Sequence, residues 1–369
     1  MRPDALLEAR ARLALANALR ILDRYDEAIS ALERAEAVLA GHERPELLAR
    51  IWSLRGNIHF PRGELEACLM AHERSLAWAR KAGSAVDEAR AFGGVGDALY
   101  QRGRMKSARD HFAKCVEEAR AHGAVGLALS NAPMLALTRA VCGEAREALE
   151  ECAVIAAEAA RFGDPRSEVL TRLIEAMISL YRADFERVRH ACDRGLALAR
   201  QLGARRFEAE LMALQGHAIG ELGGGADAQV LLQRASTLAL EVARPYCAPW
   251  CLGAQALHTP NVERARELLA QGEALLLEGC VSHNHLEYRR VAMEFCLRHG
   301  DVRETRRHAK ALREYTAGEP LVWADLIVRR AEYLADRAED PSRQDLSERR
   351  EKLLKDVEAA DFLWLLRGI

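Results

Sequence analysis

The stretches IWSLRGNIHFPRGELEAC (51–68) and AFGGVGDALYQRGRMKSA (91–108) start 40 residues apart, and their small residues fall in register. Gly56 answers to Gly96, Gly63 to Gly103 and Cys68 to Ala108. The register of this pair holds across six units. Gly63, Gly103, Gly143, Ala183 and Gly223 share the 40-residue period, and Gly83, Gly123, Gly163 and Gly203 form a second series offset by 20. A glycine just past a helix adopts positive φ without a Cβ penalty, so each series closes one helix of a repeated pair. Three columns of mainly small residues keep the same phase: Ala16, Gly56, Gly96, Ala136, Ala176, Gly216; Ala28, Cys68, Ala108, Ala148, Val188, Ala228; and Ala35, Ser75, Cys115, Ile155, Gly195, Ala235. Such columns mark crossings too close for a large side chain.

Composition agrees with a helical array. Of 369 residues half are hydrophobic, yet only 5% are aromatic, and strong helix formers dominate. The period loosens after Gly223-Gly224-Gly225. A shortened first helix is expected from Arg244 to near Thr259-Pro260, with Pro260 in the first turn of the next helix and Gly279 closing it. Two more pairs follow, the last ending in a helix from about Leu346. This divides the chain into six regular repeats over 1–243 and three less regular ones over 244–369. Pro133 reads as a late start of its helix, with Ser130 or Asn131 as N-cap, the other reading being a kink that re-aims the groove wall. The polar stretch RAEDPSRQDLSER (337–349) reads as exposed. The final segment VEAADFLWLLRGI (357–369) is too apolar for a terminal cap, so it folds back onto the last unit or docks elsewhere, a homodimer through the C-terminal helix being one arrangement.

The residues around these columns, in IWSLRGNIHFPRGELEAC, AFGGVGDALYQRGRMKSA and ANALRILDRYDEA (16–28), resemble the tetratricopeptide repeat family. The commonest members repeat every 34 residues, and the 40-residue period is similar to a long-helix branch. The resemblance implies an all-α fold: an α-solenoid, a right-handed superhelix of about nine antiparallel helix pairs. It also implies a concave groove lined by the first helix of each pair, which binds proteins or peptides. In that register the groove columns read Asn17, Asn57, Asp97, Leu137, Met177, His217 and Arg10, Arg50, Arg90, Ser130, Leu170, Glu210. The candidate partner-binding residues are therefore Arg10, Asn17, Arg50, Asn57, Arg90 and Asp97. A carboxamide both donates to and accepts from a peptide backbone, and a guanidinium clamps a carboxylate. The segment Gly279–Trp323 resembles the repeat tail of bacterial signalling proteins that carry cyclase-like and ATPase domains. This implies a sensor tail or scaffold with a fused or associated ATPase or cyclase module; neither activity's own motifs stand in this chain.

The sequence carries no catalytic motif of the common kinds. No phosphate loop, dinucleotide fingerprint, His-Glu-x-x-His or nucleophile elbow occurs, so no enzyme activity and no cofactor is expected. The 53 basic and 55 acidic residues are interspersed, which argues against nucleic acid or a membrane surface as partner. No apolar run is long enough for a membrane span. Nine scattered cysteines fit reduced thiols in a cytoplasmic protein. The alternative readings are a small-ligand sensor in the apolar units around Leu137 and Met177, and a metal-binding helical protein centred on Cys247 to His285. For the second, Cys247 and Cys251 lack a second ligand pair at zinc spacing, and Pro249 between them disfavours a regular helix. His283 and His285 diverge on a helix, where Ser282 would serve as N-cap. No metal is therefore assigned.

Overall fold

The computed structural model describes residues 3–22, 24–42 and 44–369. Among them are 18 α-helices, a closing 3-10 helix and no strand. In chain order the first twelve make the six regular pairs: α1 (Pro3–Ile21) and α2 (Tyr25–Val38), α3 (Pro45–His59) and α4 (Leu65–Ala82), α5 (Ala85–Gln101) and α6 (Met105–Ala121), α7 (Val125–Val141) and α8 (Ala145–Phe162), α9 (Pro165–Tyr181) and α10 (Phe185–Leu202), α11 (Arg205–Glu221) and α12 (Gly225–Val242). Three further pairs follow: α13 (Arg244–Leu257) and α14 (Val262–Glu278), α15 (Ser282–Arg298) and α16 (Val302–Thr316), α17 (Val322–Glu339) and α18 (Leu346–Ala359). The fold is all-α and of the tetratricopeptide type. No helix among the described residues is long and apolar enough to cross a membrane.

The chain divides into two compact units, Met1–Arg102 with Ser107–Ala132 and Gly103–Lys106 with Pro133–Ile369. In the first unit the small-residue columns lie where helices cross. Ala16, Ala28, Ala35 and Cys68 are fully buried, and around the first three pack Leu32, Ile51 and Ile58. A Cβ on Gly56 or Gly94 would fall 2.2 or 2.0 Å from the His72 ring, so this imidazole of α4 fits only because α3 and α5 each offer a glycine. The GGVG run at 93–96 thus packs in mid-helix; it is not a phosphate loop.

In the second unit Ala136, Ala148, Ala176, Val188 and Ala228 continue the columns, all fully buried. The glycine punctuation also holds: Gly163 and Gly203 close α8 and α10 in the left-handed region. Ala183 takes the same conformation without being a glycine, at φ 58°. Helix starts are fixed by side-chain caps at Asp164, Asp184, Asn261 and Asp301, each accepting from a backbone N–H three residues on.

Four local expectations are corrected. Pro133 does not delay its helix, because α7 runs from Val125 through it. Pro249 likewise lies inside α13. The Pro245 carbonyl, deprived of its donor by Pro249, accepts from the Val281 N–H at 3.1 Å instead. Pro260 stands just outside α14, whose N-cap is Asn261. Ser282 is a buried first-turn residue of α15, and Val281 is the N-cap. The Asn284 side chain meanwhile ties α15 to α13, donating to the Tyr246 carbonyl at 2.6 Å and accepting from the Trp250 N–H at 3.2 Å.

Of the two arrangements open to the final segment, folding back is the one seen, but its contacts reach beyond the last pair. The 3-10 turn Leu363–Leu366 packs on α9 as well as on α17 and α18. Phe362, Trp364 and Leu365 are buried there.

A candidate peptide cleft in the first unit

The Arg and Asn columns sit on first helices because a 40-residue period returns each position to the same face of successive pairs. Five of the six predicted residues, Arg10, Asn17, Arg50, Asn57 and Arg90, line a single cleft of ≈ 590 Å³ on α1, α3 and α5. The sixth, Asp97, is half-buried and does not line it. Leu13, Leu47 and Leu54 give the cleft an apolar floor between the polar columns.

One carboxylate that sequence reasoning passed over, Asp87, organises two of the arginines. Asp87 is buried, with one oxygen 3.3 Å from Arg50 Nε and 3.6 Å from Arg90 Nε. Its other oxygen accepts from the Ser84 hydroxyl at 3.0 Å, while Ser84 Oγ caps α5 by accepting from the Asp87 N–H. The signal was present as Ser-x-x-Asp at a helix start. Glu46 also lines the cleft. Three guanidiniums thus face two carboxylates, leaving one positive charge in excess. Arg50 and Arg90 remain 53% and 41% exposed, so both are held in place yet accessible. Asn17 accepts from Arg20 at 3.2 Å, which fixes its amide. The chemical capacity is that of a peptide cradle: an apolar strip, carboxamides for backbone groups and a net positive charge for a carboxylate.

The columns change character in the second unit. Leu137, Met177 and His217 are buried there, and so is Glu210. Burial pushes the Glu210 carboxyl up to about 8 and the His283 imidazole down to about 4. Their 3.3 Å contact is therefore between neutral groups near pH 7. His285 stacks on Tyr315 at 4.2 Å between centroids. Cys247 and Cys251 lie buried on α13, and burial raises the Cys247 thiol. These four side chains do not converge on one point. Ligand atoms that do lie within 4.8 Å of one another belong to His217, Glu221 and His258. There the two imidazoles already share a 2.8 Å hydrogen bond, and Arg298 and Arg367 hold Glu221. All nine thiols are free and eight are buried; burial lifts those of Cys115, Cys280 and Cys296 to about 12, which leaves them unreactive.

Comparison with known proteins places this architecture. Tetratricopeptide repeat models match residues 9–37 and 47–121. No curated protein matches the chain by sequence. Among solved structures, the chain is similar to NprR in complex with its cognate peptide NprX, with a TM-score of 0.65, 14% identity and 97% and 99% of the two chains covered. It is similar to a Rap protein complexed with competence and sporulation factor, at TM-score 0.62 and 16% identity over 97% and 96% of the chains. A third likeness is the Rap conjugation gene regulator of the plasmid pLS20 with the Phr* peptide, at TM-score 0.54 and 16% identity over 74% and 75%. At these identities the likeness is one of fold. Tetratricopeptide repeats thus stand at residues 9–37 and 47–121, and the helix pairs and columns of small residues carry a fold of the same type along the rest of the chain.

Proposed function

We propose that this protein is a peptide-binding regulator without catalytic activity of its own, and that it takes an extended peptide in the first-unit cleft. The single observation that carries the reading is the convergence of Arg10, Asn17, Arg50, Asn57 and Arg90 on one cleft with an apolar floor. NprR and the Rap proteins, whose fold it shares, are seen with peptides bound, which supports the same use of this scaffold. Arg50, steadied by Asp87, meets a carboxylate of the peptide, and the Asn17 and Asn57 amides meet its backbone. In this reading the chain serves as the sensor part of a cytoplasmic signalling system, with an ATPase or cyclase module as the downstream partner.

The test begins with short peptides selected by display on the full chain. Those peptides should bind the Arg50→Ala/Asn57→Ala variant about tenfold or more weakly, a loss near 1.4 kcal/mol, with helical circular dichroism unchanged. Equal binding by a folded variant would remove the cleft from the account.

A further inference from the structure

The interior of the second unit carries charges that packing alone does not explain. Glu287, Arg290 and Glu294 sit at i, i+3 and i+7 on α15, so they share one face, and all three are buried. Glu287 accepts from the Tyr181 hydroxyl at 2.7 Å and from Arg290 Nε at 2.8 Å. Glu294 accepts from Arg330 Nη1 at 3.0 Å. Arg290 is only 2% exposed, yet neither its Nη1 nor its Nη2 has a hydrogen-bond partner. By contrast, Arg306, Arg329, Arg343 and Arg349 in the outer cleft of α16–α18 each pair with a carboxylate.

Against this face lies the chain's own segment 361–368. It turns in through Asp361, which has φ 59° and pairs with Arg182 at 2.5 Å. Phe362 meets the Tyr181 ring edge-on at 6.0 Å. The Trp364 indole lies under the guanidiniums of Arg290 and Arg330, 4.9 and 5.1 Å from their carbons. Arg330 donates to the Arg367 carbonyl at 2.7 Å, and Arg337 donates to the Gly368 carbonyl at 2.6 Å. The Arg367 guanidinium pairs with Glu221. The eight-residue segment thus contacts the first helices α9, α11, α15 and α17, and also Arg146 on α8, Phe185 on α10 and helix α18. Backbone carbonyls are read by arginines, and the side chains of Asp361, Phe362, Trp364 and Arg367 are each seated on an aromatic or charged group. A short bound peptide is recognised in the same manner. The fit is incomplete, because two Arg290 donors and the Trp364 indole N–H stay unpaired.

We propose that this face of the second unit is a second peptide groove, separate from the first-unit cleft. The segment Asp361–Gly368 occupies it as an internal ligand, and a peptide with the same aromatic and basic pattern, presenting a carboxylate to Arg290, displaces it. Two orphaned guanidinium donors inside the protein are costly, and an incoming carboxylate satisfies both, which the indole does not.

The test uses the full chain and labelled synthetic peptides. A Trp364→Ala/Arg367→Ala variant, whose own segment is weakened, should bind the peptide EAADFLWLLRGI (residues 358–369) about tenfold more tightly than wild type. Replacing Trp364 by Glu in that peptide should tighten binding further, and Arg290→Gln in the chain should abolish this extra gain. Should the variant fail to fold, hydrogen exchange on wild type gives the answer: saturating Glu-containing peptide should accelerate exchange at 361–368. Equal weak binding by wild type and a folded variant overturns the proposal. So does exchange at 361–368 that the peptide leaves unchanged. A doubling of mass with the segment exchanged between copies would make a second chain the occupant, and would also overturn it.

Discussion

At the scale of single residues, the buried imidazoles set the response to acid. His72 is fully buried between two glycines, and burial holds it down to about 3. His308 is held to about 3, and His258, His283 and His285 to about 4, again chiefly by burial. Below the ordinary imidazole value of about 6.5, an unfolded chain takes up protons that the folded chain refuses. Stability from these groups is therefore intact above about pH 6.5 and is lost as pH falls towards 3, by roughly 1.4 kcal/mol per pH unit for each histidine. The urea midpoint should drop steeply between pH 6.5 and 4.5, and His72→Gln should flatten that slope by about one proton. An unchanged slope would mean that His72 is not held neutral by the fold. None of this was legible in the sequence, where His72 is one polar letter in a helix. Its environment comes from Gly56 and Gly94, which lie on two other helices.

At the scale of elements, the sequence was legible wherever a local rule decides and illegible wherever a distant group does. The glycine series marked the ends of α4, α8 and α10 because positive φ is a property of the residue itself. The one non-glycine in that series offers a measurement. Ala183 follows α9 at φ 58°, where an L side chain pays about 1–2 kcal/mol. Ala183→Gly should stabilise the protein by about 1 kcal/mol, offset in part by the greater freedom of glycine in the unfolded chain. A lowered thermal midpoint would contradict this. Pro249 shows the other side. By local rules it disfavours a regular helix, but Val281, 36 residues past Pro245, supplies the donor for the freed carbonyl. The charged face of α15 lies on the illegible side: Glu287, Arg290 and Glu294 share helical spacing, but α15 carries polar residues along its whole length and its sequence gives no sign that these three are buried. Their partners on α9, α17 and the final segment could not be read from spacing.

At the scale of the whole molecule, the repeat register foretold the all-α architecture, and it also grouped five of six candidate residues in one cleft. Asp97 falls outside that cleft, and Asp87, which positions two of the arginines, was missed because its role depends on a side chain 37 residues away. Peptide recognition by the first-unit cleft can be read with a photocrosslinking residue. A benzophenone amino acid placed at Asn57 of the full chain should crosslink to the display-selected peptide, because Asn57 lines the cleft. The same group at Glu73, exposed on α4 and absent from the cleft wall, should not. Crosslinking at Glu73 with none at Asn57 would place the peptide outside the cleft.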